Sequence, residues 1–161
     1  MQIIFILLMI ISAGFSRVLN VPVQYISIQD GLNEAQSNDT VLVAPGIYIE
    51  NLQWPEVASI NLIGSSTETT IINGNNSGSV ITIFSGEFSI VNSNTVLSGF
   101  TLLNGSAQST YPHDRGGGIF LFNSAPTIQD IVIQDCNASY GGGIAAINSS
   151  PIFDHVTITN N

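Results

Sequence analysis

Residues Gly116 to Asn161 run twice through one template. Gly116-Gly117-Gly118-Ile119 is followed by Asn123-Ser124-Ala125-Pro126 and then by the apolar pulse Ile131-Val132-Ile133. The same pieces return, all at one fixed offset, as Gly141-Gly142-Gly143-Ile144, Asn148-Ser149-Ser150-Pro151 and Val156-Thr157-Ile158. A unit this short cannot bury its own apolar face, so such units must stack on one another. Whatever the chain does, it does on the surface of a stack.

With 161 residues, 44% of them hydrophobic and 8% charged, the chain suits one domain with a continuous core. Eleven acidic residues face two basic ones, Arg17 and Arg115, and there is no Lys, for a formal charge of -9. Nucleic-acid binding is excluded, because phosphates need several cations to neutralise them. The same acidity repels polyuronates unless a divalent cation intervenes.

The apolar run from Met1 to Ile11 gives way to the small residues Ser12, Ala13, Gly14 and Ser16. It is short for a membrane span and fits a secretory signal over residues 1–16, cleaved after Gly14 or Ser16, although no Lys or Arg precedes it. The mature chain is then exported and has no transmembrane span. A short anchor or a buried strand is the alternative. Cys136 is the only cysteine, so no intrachain disulfide forms. It shares a repeat position with Asn161 and reads as an inert core or turn residue rather than a nucleophile.

Residues 28–35 place apolar side chains on one face of a short helix, weakened by Gly31. Residues 39–51 read as strand, Pro-Gly turn, strand, and strand-sized pulses follow at 60–64, 70–72, 80–83 and 96–102. From Val41 to Ile60, Val80 and Phe100 the pulses are almost evenly spaced, and the spacing lengthens in the later repeats. A β-sandwich would not repeat a strand and its turn together at a fixed offset, and helical periodicity is missing after the first helix, which excludes an α-solenoid.

Ile26 to Leu32, Asn38 to Asn51 and the Gly-Gly-Gly-Ile repeats together resemble the right-handed parallel β-helix, or pectin-lyase-like, proteins, in particular an exported bacterial subgroup. The resemblance spans nearly all of the mature chain. It implies an all-β, right-handed parallel β-helix solenoid with a short N-terminal capping helix: a cap region over residues 17–40 and coils over 41–161. It says little about activity, because this fold carries lyases, hydrolases, esterases, isomerases and non-catalytic adhesins. Asn and Ser at turns, such as Asn123 over Asn148, are expected to form ladders. The Gly triplets are expected to make a positive-φ corner or a close approach between coils, not a phosphate cradle, since neither a following helix nor a Lys is present.

The interval from Phe100 to Ile131 is longer than the equivalent one from Ile131 to Val156. The extra length falls in 106–115, a loop expected to project and to hold Tyr111, His113, Asp114 and Arg115, the last being the only Arg expected in the mature chain. Tyr111 would stack on a sugar while the polar groups bond its hydroxyls or a carboxylate; alternatively Asp114 and Arg115 only fix the turn. Asp130 and Asp154, with Asp135 level with Asn160, offer oxygen ligands for Ca²⁺, or simply a solvated surface. A pectate lyase would need a Ca²⁺-binding Asp cluster and a basic residue; a polygalacturonase, clustered Asp on adjacent coils; a pectin methylesterase, two facing Asp and an Arg. None of these sets is visible. Five Asn-X-Ser/Thr matches, at Asn38, Asn75, Asn104, Asn137 and Asn148, matter only in a eukaryotic secretory pathway.

Asn160-Asn161 follows the last strand without a cap, and an uncovered solenoid end invites association. The sequence therefore reads as C-terminally truncated. The expected function is a secreted or cell-surface scaffold, bacterial, contacting polysaccharide or a cell-surface glycan, with no catalytic residue, no metal and no cofactor among those present. The alternative is a fragment of a polysaccharide lyase or glycoside hydrolase whose catalytic coils lie beyond residue 161.

Overall fold

The computed structural model describes residues 15–86, 91–108, 110 and 113–161. In chain order its elements are β1 (Val18–Val21), α1 (Ile28–Glu34), β2 (Thr40–Val43), β3 (Gly46–Ile49), β4 (Leu52–Gln53), β5 (Asn61–Gly64), β6 (Thr70–Asn73), β7 (Ile81–Phe84), β8 (Val96–Leu103), β9 (Ser106–Ala107), β10 (Ile119–Phe122), β11 (Thr127–Gln134), β12 (Asn137–Ala138), β13 (Ile144–Ile147) and β14 (Ile152–Thr159). The named strands pair only in parallel. One sheet follows the order β1-β2-β5-β8-β11-β14 with β3 and β6 alongside, a second runs β13-β10-β7-β4, and a third joins β12 to β9. The fold is mostly β, with parallel strands and one helix.

Period-two patterning explains which side chains enter the core. Val41, Leu62, Leu97, Ile128 and Phe153 stand in register across the first sheet, and the first four of them are fully buried. Ile72, Leu102, Ile133 and Ile158 make a second column. Leu52, Ile81, Ile119 and Ile144 make a third on the other sheet. Burying each such side chain contributes about 1.5–3 kcal/mol, and truncating one to Ala in mid-column costs about 2–5 kcal/mol. At β14 the columns reach the surface: Phe153 is 49% and Ile158 53% exposed.

Corners between strands are made by residues in the left-handed region, and these also stack. Asn104, Asp135 and Asn160 have φ of 55°, 54° and 54°; Asn123 and Asn148 have 49° and 48°; Gly116 and Gly141 have 62° and 65°. A fourth set, Gly99, Asp130 and His155 (80°, 50°, 50°), kinks the long strands β8, β11 and β14 in mid-course. Asn and Asp tolerate this region better than other non-glycine residues. At Gly99 a second constraint operates, because a Cβ there would lie 2.5 Å from the carbonyl oxygen of Gly64 in β5.

The helix packs against β1, β2 and β4. Ser27 caps it by accepting from the Asp30 N–H, and the Glu50 carboxylate accepts from the N–H groups of Ile28 and Gln29, each at 2.9 Å. Helix N-terminal amides have no partner within the helix, so a carboxylate there satisfies them and favours the dipole. Ile28 and Leu32 are buried, and Gly31 approaches Val41 closely enough that a Cβ would meet its Cγ1 at 3.0 Å. Beside the helix, the buried Asp39 accepts from the Arg17 backbone N (2.8 Å), Arg17 Nε (3.0 Å) and Gln36 N (2.8 Å).

The expected helix at 28–35 is present at Ile28–Glu34, and the Pro-Gly turn leads around a corner, since β2 pairs with β5 and β3 with β6. The even spacing of the early pulses is not the repeat: Val41 is level with Leu62 and Leu97, not with Ile60, Val80 or Phe100. Apolar pulses that belong to different sheets mimic a single series. Arg17, paired with Asp39, belongs to the folded unit, so Arg115 is not its only Arg. The expected secretory signal falls, except for its last two residues, outside the described residues.

Gly99→Ala is expected to lower stability by about 1–3 kcal/mol, whereas Asp130→Gly and His155→Gly, which place glycine in the same left-handed position, should stay within about 1 kcal/mol of the parent; urea unfolding measures all three. Burial alone would raise the Asp39 carboxyl, but its bonds to Arg17 and Gln36 outweigh this and hold it below the ordinary value. Its stabilisation is present above the unfolded pKa of about 3.9 and is lost as pH falls through the folded one. Acid titration of thermal stability should show a loss below about pH 4 that is smaller in Asp39→Asn.

Candidate functional site

The register locates the added length in the 106–115 loop. Ser106 and Ala107 pair with Asn137 and Ala138, at an offset of 31 residues, whereas Arg115 bridges to Tyr140, back at the repeat offset of 25. The additional residues therefore lie between Ala107 and Arg115. Of the four residues expected to form a binding loop, Tyr111 lies outside the described residues. His113 is exposed, and its N–H donates to Thr110 O at 2.9 Å.

Asp114 and Arg115 are tied to neighbouring segments. The Asp114 carbonyl accepts from Tyr140 N at 3.1 Å, and its Oδ1 lies 3.3 Å from Arg115 Nε. Arg115 O accepts from Ser79 Oγ at 3.2 Å, while its guanidinium carbon sits 4.5 Å from the centre of the Tyr140 ring. A guanidinium over an aromatic face contributes about 0.5–1 kcal/mol at an exposed position. Tyr140 itself is 58% exposed. An open aromatic ring backed by a fixed cation and carboxylate makes a stacking and hydrogen-bonding surface. Sequence reasoning misses Tyr140, although it precedes the second Gly triplet as Arg115 precedes the first.

The Gly triplets pack rather than cradle a ligand. Gly116 and Gly141 form left-handed corners, and a Cβ on Gly117 would fall 2.5 Å from the carbonyl oxygens of both Asn137 and Gly142. Asn123 and Asn148 occupy matching corners just past the paired strands β10 and β13, but the Asn123 amide donates to Gly86 O, and the contact between repeats runs from Ser124 N to Ser149 Oγ.

The carboxylates considered for Ca²⁺ surround a histidine. Asp130 and His155 hold the matching kink positions of β11 and β14, and Asp154 is level with Gln129. His155 Nδ1 lies 3.0 Å from Asp154 Oδ1 and 3.9 Å from Asp130 Oδ1, and all three side chains are more than half exposed. Asp135 and Asn160 occupy equivalent left-handed corners, as the repeat implied. Among the described residues, no group of three or more His, Cys, Asp or Glu is placed to hold a metal ion.

Outward-facing strand positions are short of charge. Ile47, Ile71, Thr101, Val132 and Thr157 form one in-register column, and Ile49, Asn73, Leu103, Gln134 and Thr159 form the next. The first column is entirely β-branched. On the neighbouring face Asn20, Leu42, Ile63, Ser98, Gln129 and Asp154 align, with Asp154 the single carboxylate. A shallow groove of about 230 Å³ beside Val21, Val23, Leu42 and Pro45 has no titratable side chain in its lining. Among the described residues, no helix is long and apolar enough to cross a membrane.

Cys136 and Asn161 do share a position, and they share a job. Cys136 Sγ accepts from Gly105 N at 3.3 Å, and Asn161 Oδ1 accepts from Cys136 N at 2.8 Å, so each side chain takes a backbone amide from the preceding repeat. Burial pushes the Cys136 thiol above its ordinary pKa, which makes it a poor nucleophile.

Comparison with protein-family models, curated proteins and solved structures finds no match to this chain.

Cys136 is expected to resist alkylation at pH 8 in the folded protein and to react fully in denaturant, as read by intact mass. Cys136→Asn, which supplies the acceptor found at Asn161, should retain more stability than Cys136→Val, which leaves the Gly105 amide unbonded at a cost of about 1–3 kcal/mol.

Proposed function

We propose that the chain is a right-handed parallel β-helix of the pectin-lyase-like kind, exported to the cell surface or medium, where it serves as a non-catalytic scaffold for carbohydrate or adhesive contacts. The observation that carries this reading is the character of the outward columns: β-branched, Leu, Asn, Gln and Ser side chains, with Asp154 the one carboxylate in them. A polysaccharide-cleaving site of the lyase or hydrolase type needs clustered carboxylates with a cation on such a face. Here Arg115 is committed to Asp114 and Tyr140, and Asp130 and Asp154 flank His155 at an exposed kink.

The partner chemistry that fits is a neutral polysaccharide. A chain of net charge -9 repels polyuronates, whereas an exposed Tyr beside uncharged columns of mixed apolar and polar side chains suits the apolar faces and hydroxyls of neutral sugars. The Tyr140 to Arg115 corner, with His113 beside it in sequence, is the proposed contact point, and no cofactor is required.

Affinity electrophoresis through gels containing neutral or acidic polysaccharides is the test. Retardation by a neutral polymer is expected, with little dependence on salt, and Tyr140→Ala should weaken it several-fold, the size of one aromatic contact of ~1 kcal/mol. Release of reducing ends or of unsaturated uronides by the purified chain would instead contradict the non-catalytic reading.

A further inference from the structure

We propose that the leader is removed at the Ser16–Arg17 bond and that the α-amino group so released becomes an ion-pair partner of the buried Asp39 carboxylate. The proposal rests on the export reading above. Two bonds satisfy the small-residue requirement of a leader endopeptidase: Gly14–Phe15, preceded by Ser12 and Gly14, and Ser16–Arg17, preceded by Gly14 and Ser16. Sequence does not choose between them; the geometry favours the second, because only that cut yields an amine already on Asp39.

Asp39 is 1% exposed, and its Oδ1 accepts from the Arg17 backbone nitrogen at 2.8 Å. Cleavage after Gly14 would leave Phe15, which is 91% exposed, as an apolar terminus and put the new charge on a residue that does not touch Asp39. Cleavage after Ser16 gives up the Ser16 Oγ bond to Asn38 O but converts the nitrogen already on Asp39 from an amide into an ammonium. In the reaction water adds across the amide: the Ser16 carbonyl carbon to Arg17 nitrogen bond breaks, a carbon–oxygen bond forms, the leader departs as a carboxylate, and the Arg17 nitrogen takes up protons to become –NH₃⁺.

The charged and titratable groups facing this end of the chain are Asp39, Glu34, Tyr25 and the guanidinium of Arg17 itself. Only the last opposes an ammonium, and it bonds Asp39 through Oδ2, leaving Oδ1 for the terminus. Charge-assisted bonds are stronger than neutral ones, and salt screens them least where they are buried. Processing would therefore tighten the join between the first strand and the helix end. The amine's pKa is raised by its partner, so this stabilisation is complete below the ordinary α-amino pKa and is lost as pH rises through the raised value.

The full chain, leader included, is expressed in a secreting host and the recovered protein weighed by intact mass. A chain starting at Arg17 is expected. A start at Phe15 overturns this proposal while leaving the export reading standing, and a start at Met1 overturns both. Because the chain has no Lys, the terminal amine is its only amine, and reductive ¹³C-methylation yields a single NMR signal. Its titration midpoint is expected above the ordinary α-amino range of about 7.7–8.0 and should return to that range in Asp39→Asn. An unshifted midpoint in the Arg17-started protein would overturn the ion pair, whether or not the Asp39 variant folds.

Discussion

The parallel backbone ladder between in-register strands is the interaction on which everything else in this protein depends. Strands about 4.8 Å apart bring like positions of paired parallel strands beside one another, so a single inward Val, Leu, Ile or Phe per strand becomes a continuous apolar column. The same register stacks the corners. Each left-handed residue costs about 1–2 kcal/mol where it is not glycine, yet the chain accepts Asn, Asp and even His at these points, because moving a corner by one residue would turn the inward columns to solvent. The ladder sets where the corners fall, and the corners keep the ladder in register.

That division of labour leaves the outer surface free to vary. Outward positions at strand centres are bounded on both sides by the ladder and make columns that are largely Ile, Leu, Val, Thr, Asn and Gln, while the loop at 108–114 lengthens without disturbing the pairs at Ala107 and Arg115 that bracket it. Arg115 shows one side chain making two contacts: it lies against Asp114 beside the lengthened loop and backs the exposed Tyr140 ring. Cys136 and Asn161 show the opposite case, two chemically different side chains filling one structural role as acceptors for a backbone amide of the preceding repeat.

Much of this was legible in the sequence, for physical reasons. The later strands could be read because Gly triplet, Asn-Ser turn and apolar pulse recur together, and a longer interval ahead of Ile131 than after it marked the lengthened loop. The helix was visible from its apolar face. The earlier strands stood out as pulses, but their period was not legible, since Ile60 and Val80 sit just before strands of different sheets and nothing local distinguishes them from Val41. The kink at Gly99, Asp130 and His155 left no signal, because three unlike residues share one conformation there. Tyr140 and the buried Asp39 were likewise silent: one gains its role from a partner one repeat away, the other from an Arg on the preceding strand's approach.

Cross-strand proton contacts in an isotope-edited nuclear Overhauser spectrum test the ladder most directly. Backbone contacts linking Phe100 to Ile131 and Ile131 to Val156 are expected, together with a series joining Leu62, Leu97 and Ile128. Contacts that instead pair strands adjacent in sequence in antiparallel fashion, such as β2 with β3, would contradict it and with it the stacked surface on which the functional proposal stands.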